Sequence, residues 1–237
     1  MTRRIFGALA GPRATADRPV ALPGWRRVLA VVAHPDDESF ALGALLDRFV
    51  HAGAEVSVLC LTRGEASTLG AEADDLAAVR DAELRAAAAA LGLGRTHLLA
   101  HPDGGLSAPG LAERLTDDVA RELETLAPDG LVVFDPRAGV TGHPDHEAAS
   151  IAALAAAAAA GLPVLGWALP ASVAAALNEE YGAGFAGYPQ DELDAVAVDR
   201  ARQRTAVECH GSQAVPGSVL WRRLELLGDV EYVRLLA

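Results

Sequence analysis

Along this chain, short apolar runs rich in β-branched residues alternate with longer stretches in which apolar residues recur every three or four positions. Residues 27–33, Arg27-Val28-Leu29-Ala30-Val31-Val32-Ala33, are apolar after the first and show no alternation, the pattern of a strand buried on both faces. Residues 38–52 then take up helical spacing, with Phe40, Leu42, Leu45, Leu46, Phe49 and Val50 on one stripe, and Gly53 ends them. The same reading predicts strands at 55–61, 95–100, 130–134 and 164–168, and helices at 74–91, 110–126 and 147–160. Strand and helix in regular turn predict an α/β fold: one mostly parallel sheet with helices on both faces. Right-handed crossovers make it doubly wound and Rossmann-like. Beyond Pro170 the pattern weakens. A strand at 194–198, a helix at 200–209 and a last strand at 230–236 are expected, while residues 178–190 offer no readable motif.

Composition narrows this picture. The chain has 237 residues and no internal linker, which predicts a single domain over 25–237. Residues 1–24 read as a flexible or loosely docked leader. Its Arg3-Arg4 pair resembles the start of a twin-arginine export signal, but the apolar part is short and Pro12 cuts it, so the cytoplasm is the expected location. Charge or glycine interrupts every apolar run before the roughly 18 residues a membrane span needs. The formal charge of -12, from 32 acidic and 20 basic residues, repels nucleic acid. Two cysteines, Cys60 and Cys209, are too few for a disulfide framework. Self-association is not legible.

Chemistry concentrates at two strand ends. The first strand runs into His34-Pro35-Asp36-Asp37-Glu38, and the fourth leads through a short glycine-containing loop to His143-Pro144-Asp145-His146. A single acid there would serve as an ordinary helix cap, since the free N–H groups of a first turn favour negative charge. A histidine beside two adjacent acids, repeated as His-Pro-Asp on a second loop, is more than capping requires. In a parallel sheet both loops emerge at the same edge. Imidazole nitrogen with carboxylate oxygen is the donor mixture that suits zinc or another first-row divalent ion, and three protein ligands with an open position mark a catalytic site.

These two motifs resemble the signatures of the LmbE-like, or PIG-L, family of de-N-acetylases. The resemblance extends through Leu61-Thr62-Arg63-Gly64-Glu65, Arg80 with Glu83, Pro102-Asp103-Gly104 and His210-Gly211-Ser212-Gln213, and so covers residues 27–213. It implies a zinc-dependent hydrolase that removes an N-acetyl group from a small sugar-like or aminoglycoside-like substrate, giving acetate and a free amine. By position it implies His34, Asp37 and His146 as zinc ligands and Asp36 as the general base toward water. It implies His143 as the group facing the developing oxyanion and Asp145 as a partner that orients an imidazole or tunes Asp36. Arg80 and Asp103, with Glu65 beside them, are implied as substrate contacts. Thr141 stands where relatives in mycothiol synthesis carry a tyrosine, which weakens a simple transfer of that substrate.

Other histidines are expected elsewhere. His101 is read as a loop residue at the pocket edge, His51 as a helix-end charge, and His210 as a structural or a substrate-facing group. Trp221 is read as core or, in a loop-like stretch, as a sugar platform. Two rival functions are an amidase cleaving a thiol-conjugate amide with the same ligands, and a non-catalytic sugar-binding protein on the same scaffold.

Overall fold

The structure, a computed structural model, describes residues 19–70 and 72–237. Seven strands form one mixed sheet: β1 (Arg27–Val32), β2 (Glu55–Thr62), β3 (Thr96–His101), β4 (Gly130–Phe134), β5 (Val164–Ala168), β6 (Asp194–Ala197) and β7 (Val230–Leu235). Their order is β3-β2-β1-β4-β5-β7-β6. The first five are parallel, β7 pairs antiparallel with β5, and β6 antiparallel with β7. The helices are α1 (Asp37–Phe40), α2 (Gly43–His51), α3 (Leu76–Leu91), α4 (Ala112–Leu126), α5 (Pro144–Ala160), α6 (Ala171–Tyr181), α7 (Ala201–Cys209) and α8 (Val219–Leu227).

The period-two geometry of β1 divides its side chains between two cores. Val28, Ala30 and Val32 pack with Leu45, Leu46 and Phe49 of α2 and with Leu84 and Ala87 of α3. Leu29 and Val31 face the opposite way, onto Leu115, Val119 and Leu123 of α4 and the alanine stripe 149, 152, 153, 156 and 157 of α5. Both faces of the central strand are therefore buried, which is why its sequence shows no alternation.

Several expectations change. The helix read over 38–52 is two helices, α1 and α2, broken at Ala41–Leu42. Carbonyls released near the break are taken by a residue far along the chain: Gln203 Nε2 donates to Ser39 O at 3.0 Å and to Phe40 O at 3.4 Å. Gly43 permits this, because a Cβ there would meet Gln203 Cγ at 3.0 Å. Helices α6 and α8 were not anticipated. Trp221 lies on α8, not in a loop; its Nε1 donates to Val215 O at 3.2 Å and its ring packs beside Val207, Leu220 and Leu224. Of the leader expected over 1–24, residues 1–18 lie outside the described residues. Val20 already belongs to the packed body, donating to Ala195 O at 2.7 Å and lying with Leu22 against the core.

The strand order reverses between β1 and β4: β2 and β3 follow on one side of β1, and β4 and β5 lie on the other. Such a switch point opens a crevice at the carboxyl ends of the strands, where ligands bind in open α/β sheets. The β1 and β4 loops are the two that carry His-Pro-Asp.

Candidate metal centre and active-site cleft

The β1 loop turns sharply. Asp36 adopts φ 130° and ψ −28°, a backbone region that costs a non-glycine residue on the order of 1–3 kcal/mol. Its neighbours hold it there. Asp36 N donates to Glu38 Oε2 at 2.9 Å, and the Asp36 carboxylate pairs with Arg80 Nη2 at 2.9 Å. The turn aims the Asp37 carboxylate back under the strand end, where its Oδ2 accepts from Ala33 N at 3.1 Å and His34 N at 2.9 Å. On the other side, β4 runs into Asp135, and a 3-10 turn (Arg137–Gly139) brings the chain to α5. Gly139 has φ +53°, and a Cβ on it would meet His146 Cβ at 2.5 Å, so glycine allows the loop to lie against that histidine.

The two loops meet. His34 Nδ1 is 3.2 Å from His146 Nε2, which in turn is 3.1 Å from Asp37 Oδ1; Asp37 Oδ2 lies 3.7 Å from His34 Nδ1. Donors on a tetrahedral zinc with bonds of about 2.0–2.1 Å stand roughly 3.3 Å apart, so this spacing fits the ion. His143 also adjoins the cluster: a ring nitrogen from each of His34, His143 and His146 lies within 4.8 Å of the others.

Surrounding groups fix which nitrogen each imidazole presents. His146 Nδ1 is 2.7 Å from Thr141 Oγ1, so a proton on Nδ1 donated to that hydroxyl leaves the Nε2 lone pair free. His34 Nε2 faces Asp103 Oδ1 at 3.1 Å and Asp145 Oδ2 at 3.5 Å, close enough for charge attraction though aligned with neither for a hydrogen bond. In the neutral ring that a metal would bind, the proton therefore belongs on Nε2 and the lone pair on Nδ1. His143 caps α5, its Nδ1 accepting from Asp145 N at 3.2 Å. In its neutral form this puts the ring proton on Nε2 and makes that edge a donor.

The electrostatics follow from burial among acids. Burial disfavours a charged His34, yet Asp103, Asp145, Asp37 and Asp36 outweigh it and push its pKa up to about 10. Asp37 responds in the opposite sense: burial alone would raise it, and the His146 and His34 imidazoles hold it well below the usual carboxylate range. The cluster favours net positive charge at its centre. Asp36 is raised to about 6 by burial, with the Arg80 guanidinium opposing. His143 is lowered by burial and by the charges on His34 and His146.

The remaining residues fall into place by contact. Arg80 is 3% exposed; its Nη1 donates to Gly64 O at 2.7 Å and its Nη2 to Pro35 O, besides the pair with Asp36. It forms the cleft floor beneath the carboxylate. Asp103 accepts from Ala66 N at 2.7 Å and backs His34. Asp145 is fully buried, accepting from Gly104 N at 2.8 Å and Leu106 N at 3.0 Å, so it ties the β3 loop to α5 behind His34 and does not line the cleft. Glu65 Oε1 accepts from Asp103 N at 3.1 Å and braces that loop. His101 is not at the pocket edge: it ends β3, and its Nε2 meets Asp118 Oδ2 on α4 at 2.6 Å. His210 is buried, its Nε2 2.8 Å from Glu38 Oε1, and so clamps the end of α7 to α1. Sequence reasoning missed Thr141 as the partner of His146, treating it only as a lost tyrosine. Two residues before the His-Pro-Asp motif, its hydroxyl was the available signal.

Above these groups lies a cleft of about 630 Å³. Its lining joins the polar His34, Asp36, Asp37, His143 and His146 to the apolar Phe40, Leu69, Phe134, Phe185 and Leu220.

The family description "PIG-L: GlcNAc-PI de-N-acetylase" matches residues 29–157. A 1D-myo-inositol 2-acetamido-2-deoxy-α-D-glucopyranoside deacetylase of Nakamurella multipartita is 31% identical, over 89% of this chain and 89% of its own. A deacetylase of the same name from Kineococcus radiotolerans is 32% identical, over 82% of this chain and 66% of its own length. Among solved structures, the zinc-inhibited form of teicoplanin deacetylase superposes with a TM-score of 0.66 at 24% identity, covering 87% of this chain and 96% of that one, a likeness of fold. With the family description spanning the strands and both loops that build the cluster, the chain belongs to the PIG-L family of de-N-acetylases.

Proposed function

We propose that this protein is a zinc-dependent N-deacetylase that hydrolyses the acetamide of a small aminosugar, releasing acetate and a free amine. The observation that carries the reading is the convergence of His34 Nδ1, His146 Nε2 and the Asp37 carboxylate at 3.1–3.7 Å, beside a half-buried Asp36 whose carboxylate pairs with Arg80. The name shared by the two relatives supports a 2-acetamido-2-deoxyglucoside as the substrate class.

Bound by His34, Asp37 and His146, zinc would supply Lewis acidity to the acyl carbonyl and lower the pKa of water. The chain supplies the rest. Asp36, with its pKa raised to about 6, is ionised near neutrality yet basic enough to take a proton from the attacking water. Arg80 keeps that carboxylate oriented. As the carbonyl carbon becomes tetrahedral, His143 Nε2–H donates to the oxygen that gains negative charge, its other nitrogen being held by Asp145 N. The proton held by Asp36 then passes to the amide nitrogen as the carbon–nitrogen bond breaks, and Asp36 is restored.

Acetate release from a glucosaminyl-inositol carrying the N-acetyl group, measured with added zinc and after chelation, tests the proposal. Zinc-dependent release is the expected result. Cleavage of a cysteinyl amide with the acetyl group left intact would instead establish an amidase, and binding without any hydrolysis would establish a sugar-binding scaffold.

A further inference from the structure

One cation in the cleft wall is not accounted for by the chemistry above. Arg223 on α8 is only 5% exposed, and its Nε has no hydrogen-bond partner among the described residues. Its guanidinium lies 5.0 Å over the Trp167 ring and donates through Nη2 to Phe40 O, but it forms no ion pair among the described residues. The acid on its far side, Glu231, is already engaged: Arg200 Nη1 pairs with Oε1 at 2.5 Å, and Trp167 Nε1 donates to Oε2 at 2.8 Å. Asp36 and Asp37 favour its charged form from the cleft side, yet both are committed, to Arg80 and to the two histidines. Burial lowers the Arg223 pKa to about 10, which leaves it charged at neutral pH.

A buried charge without a counter-ion is costly to keep. Its surroundings suggest what repays it. Ser218, Val219 and Leu220, the start of the nine-residue α8, line the same cleft as Arg223, and no side chain caps that helix. A helix start favours negative charge, as does an unpaired guanidinium, and both border the same cleft.

We propose that the α8 side of the cleft is an anion subsite in which Arg223 binds a phosphate or carboxylate carried by the aminosugar, away from its acetamide. This rests on the deacetylase reading above and narrows its substrate class to acidic aminosugars. Binding and turnover are measured separately so that the two ideas can fail separately. Calorimetry with the zinc-loaded protein would compare methyl glucosaminide with glucosamine 1-phosphate, glucosamine 6-phosphate and a carboxylate-bearing glucosamine. At least one charged ligand is expected to bind about 10- to 100-fold more tightly than the neutral one, the scale of a charge-assisted hydrogen bond. The charged arms distinguish phosphate from carboxylate. Arg223→Gln is expected to abolish that preference while changing neutral binding less than about threefold, and Arg223→Lys to restore part of it. Equal binding of neutral and charged ligands by the wild-type protein would overturn the subsite, whether or not the variants fold. So would a preference that survives in folded Arg223→Gln, or an equal loss for neutral and charged ligands. Failure of acetate release from the matching N-acetyl compounds would count against the deacetylase reading alone.

Discussion

The parallel and antiparallel parts of the sheet do different work. The parallel part, β3-β2-β1-β4-β5, carries the groups proposed to bind metal and react: both His-Pro-Asp loops, Thr141, Arg80 and Asp103 sit on its carboxyl edge or on the helices and loops that follow. Its central strands are buried on both faces, and its site residues hold one another by short contacts such as Thr141 to His146 at 2.7 Å. The antiparallel part, β7-β6, and the helices around it supply the far wall of the cleft, through Phe185, Ser218, Leu220 and Arg223. Its strands are shorter or only partly buried. A rigid part carries chemistry that tolerates little displacement, and a second part shapes what is admitted.

That division predicts large effects on one side and small ones on the other. Asp37→Ala should abolish measurable acetate release and strip the metal, read by elemental analysis beside the assay, since it removes a charged ligand and leaves the two histidines without their acid. Asp36→Ala should keep its zinc but lose turnover by about two to four orders of magnitude, the usual reach of a general base. Thr141→Val should weaken zinc binding by about 10- to 100-fold, with Thr141→Ser close to wild type, because only the hydroxyl fixes His146. Arg80→Met should move the acid limb of kcat/KM to higher pH. Asp36 must be ionised to act, burial raises its pKa to about 6, and the guanidinium is the largest influence opposing that rise. Bound zinc lowers the limb in both proteins, so the difference between them is the quantity to measure. On the antiparallel side, Phe185→Ala should raise KM by roughly tenfold or less and leave kcat nearly unchanged. A larger loss of kcat there than in Arg80→Met would break the division.

What the chain discloses by pattern does not follow that boundary: β6, α7 and β7 were expected from the sequence as the parallel strands were. Strands β1 to β5 were legible because buried parallel strands are unbroken apolar runs, and the two His-Pro-Asp loops stood out because histidine beside paired acids is more than helix capping requires. The break at Ala41–Leu42 was hidden, since it depends on Gln203, more than 160 residues away, taking the freed carbonyls. Helix α6 is alanine-rich and opens at Pro170 with no side-chain cap, so periodicity gave it little relief. Helix α8 begins after Gly217 with no capping side chain either, and its Trp221 looked like part of a loop. The exposure of a charge is equally non-local. Arg80, read from the sequence as a sugar contact, does line the cleft, but its contacts to Gly64, Pro35 and Asp36 could not be read from the sequence.

The most direct measurement is a zinc titration of the metal-stripped protein by calorimetry, run beside the His146→Ala variant, with acetate release followed at each addition. The wild-type protein should bind one catalytic equivalent and gain activity in step with it, while the variant gains neither. Full acetate release from the stripped wild-type chain, or unchanged zinc affinity without His146, would contradict the assignment of these two loops as a single metal centre.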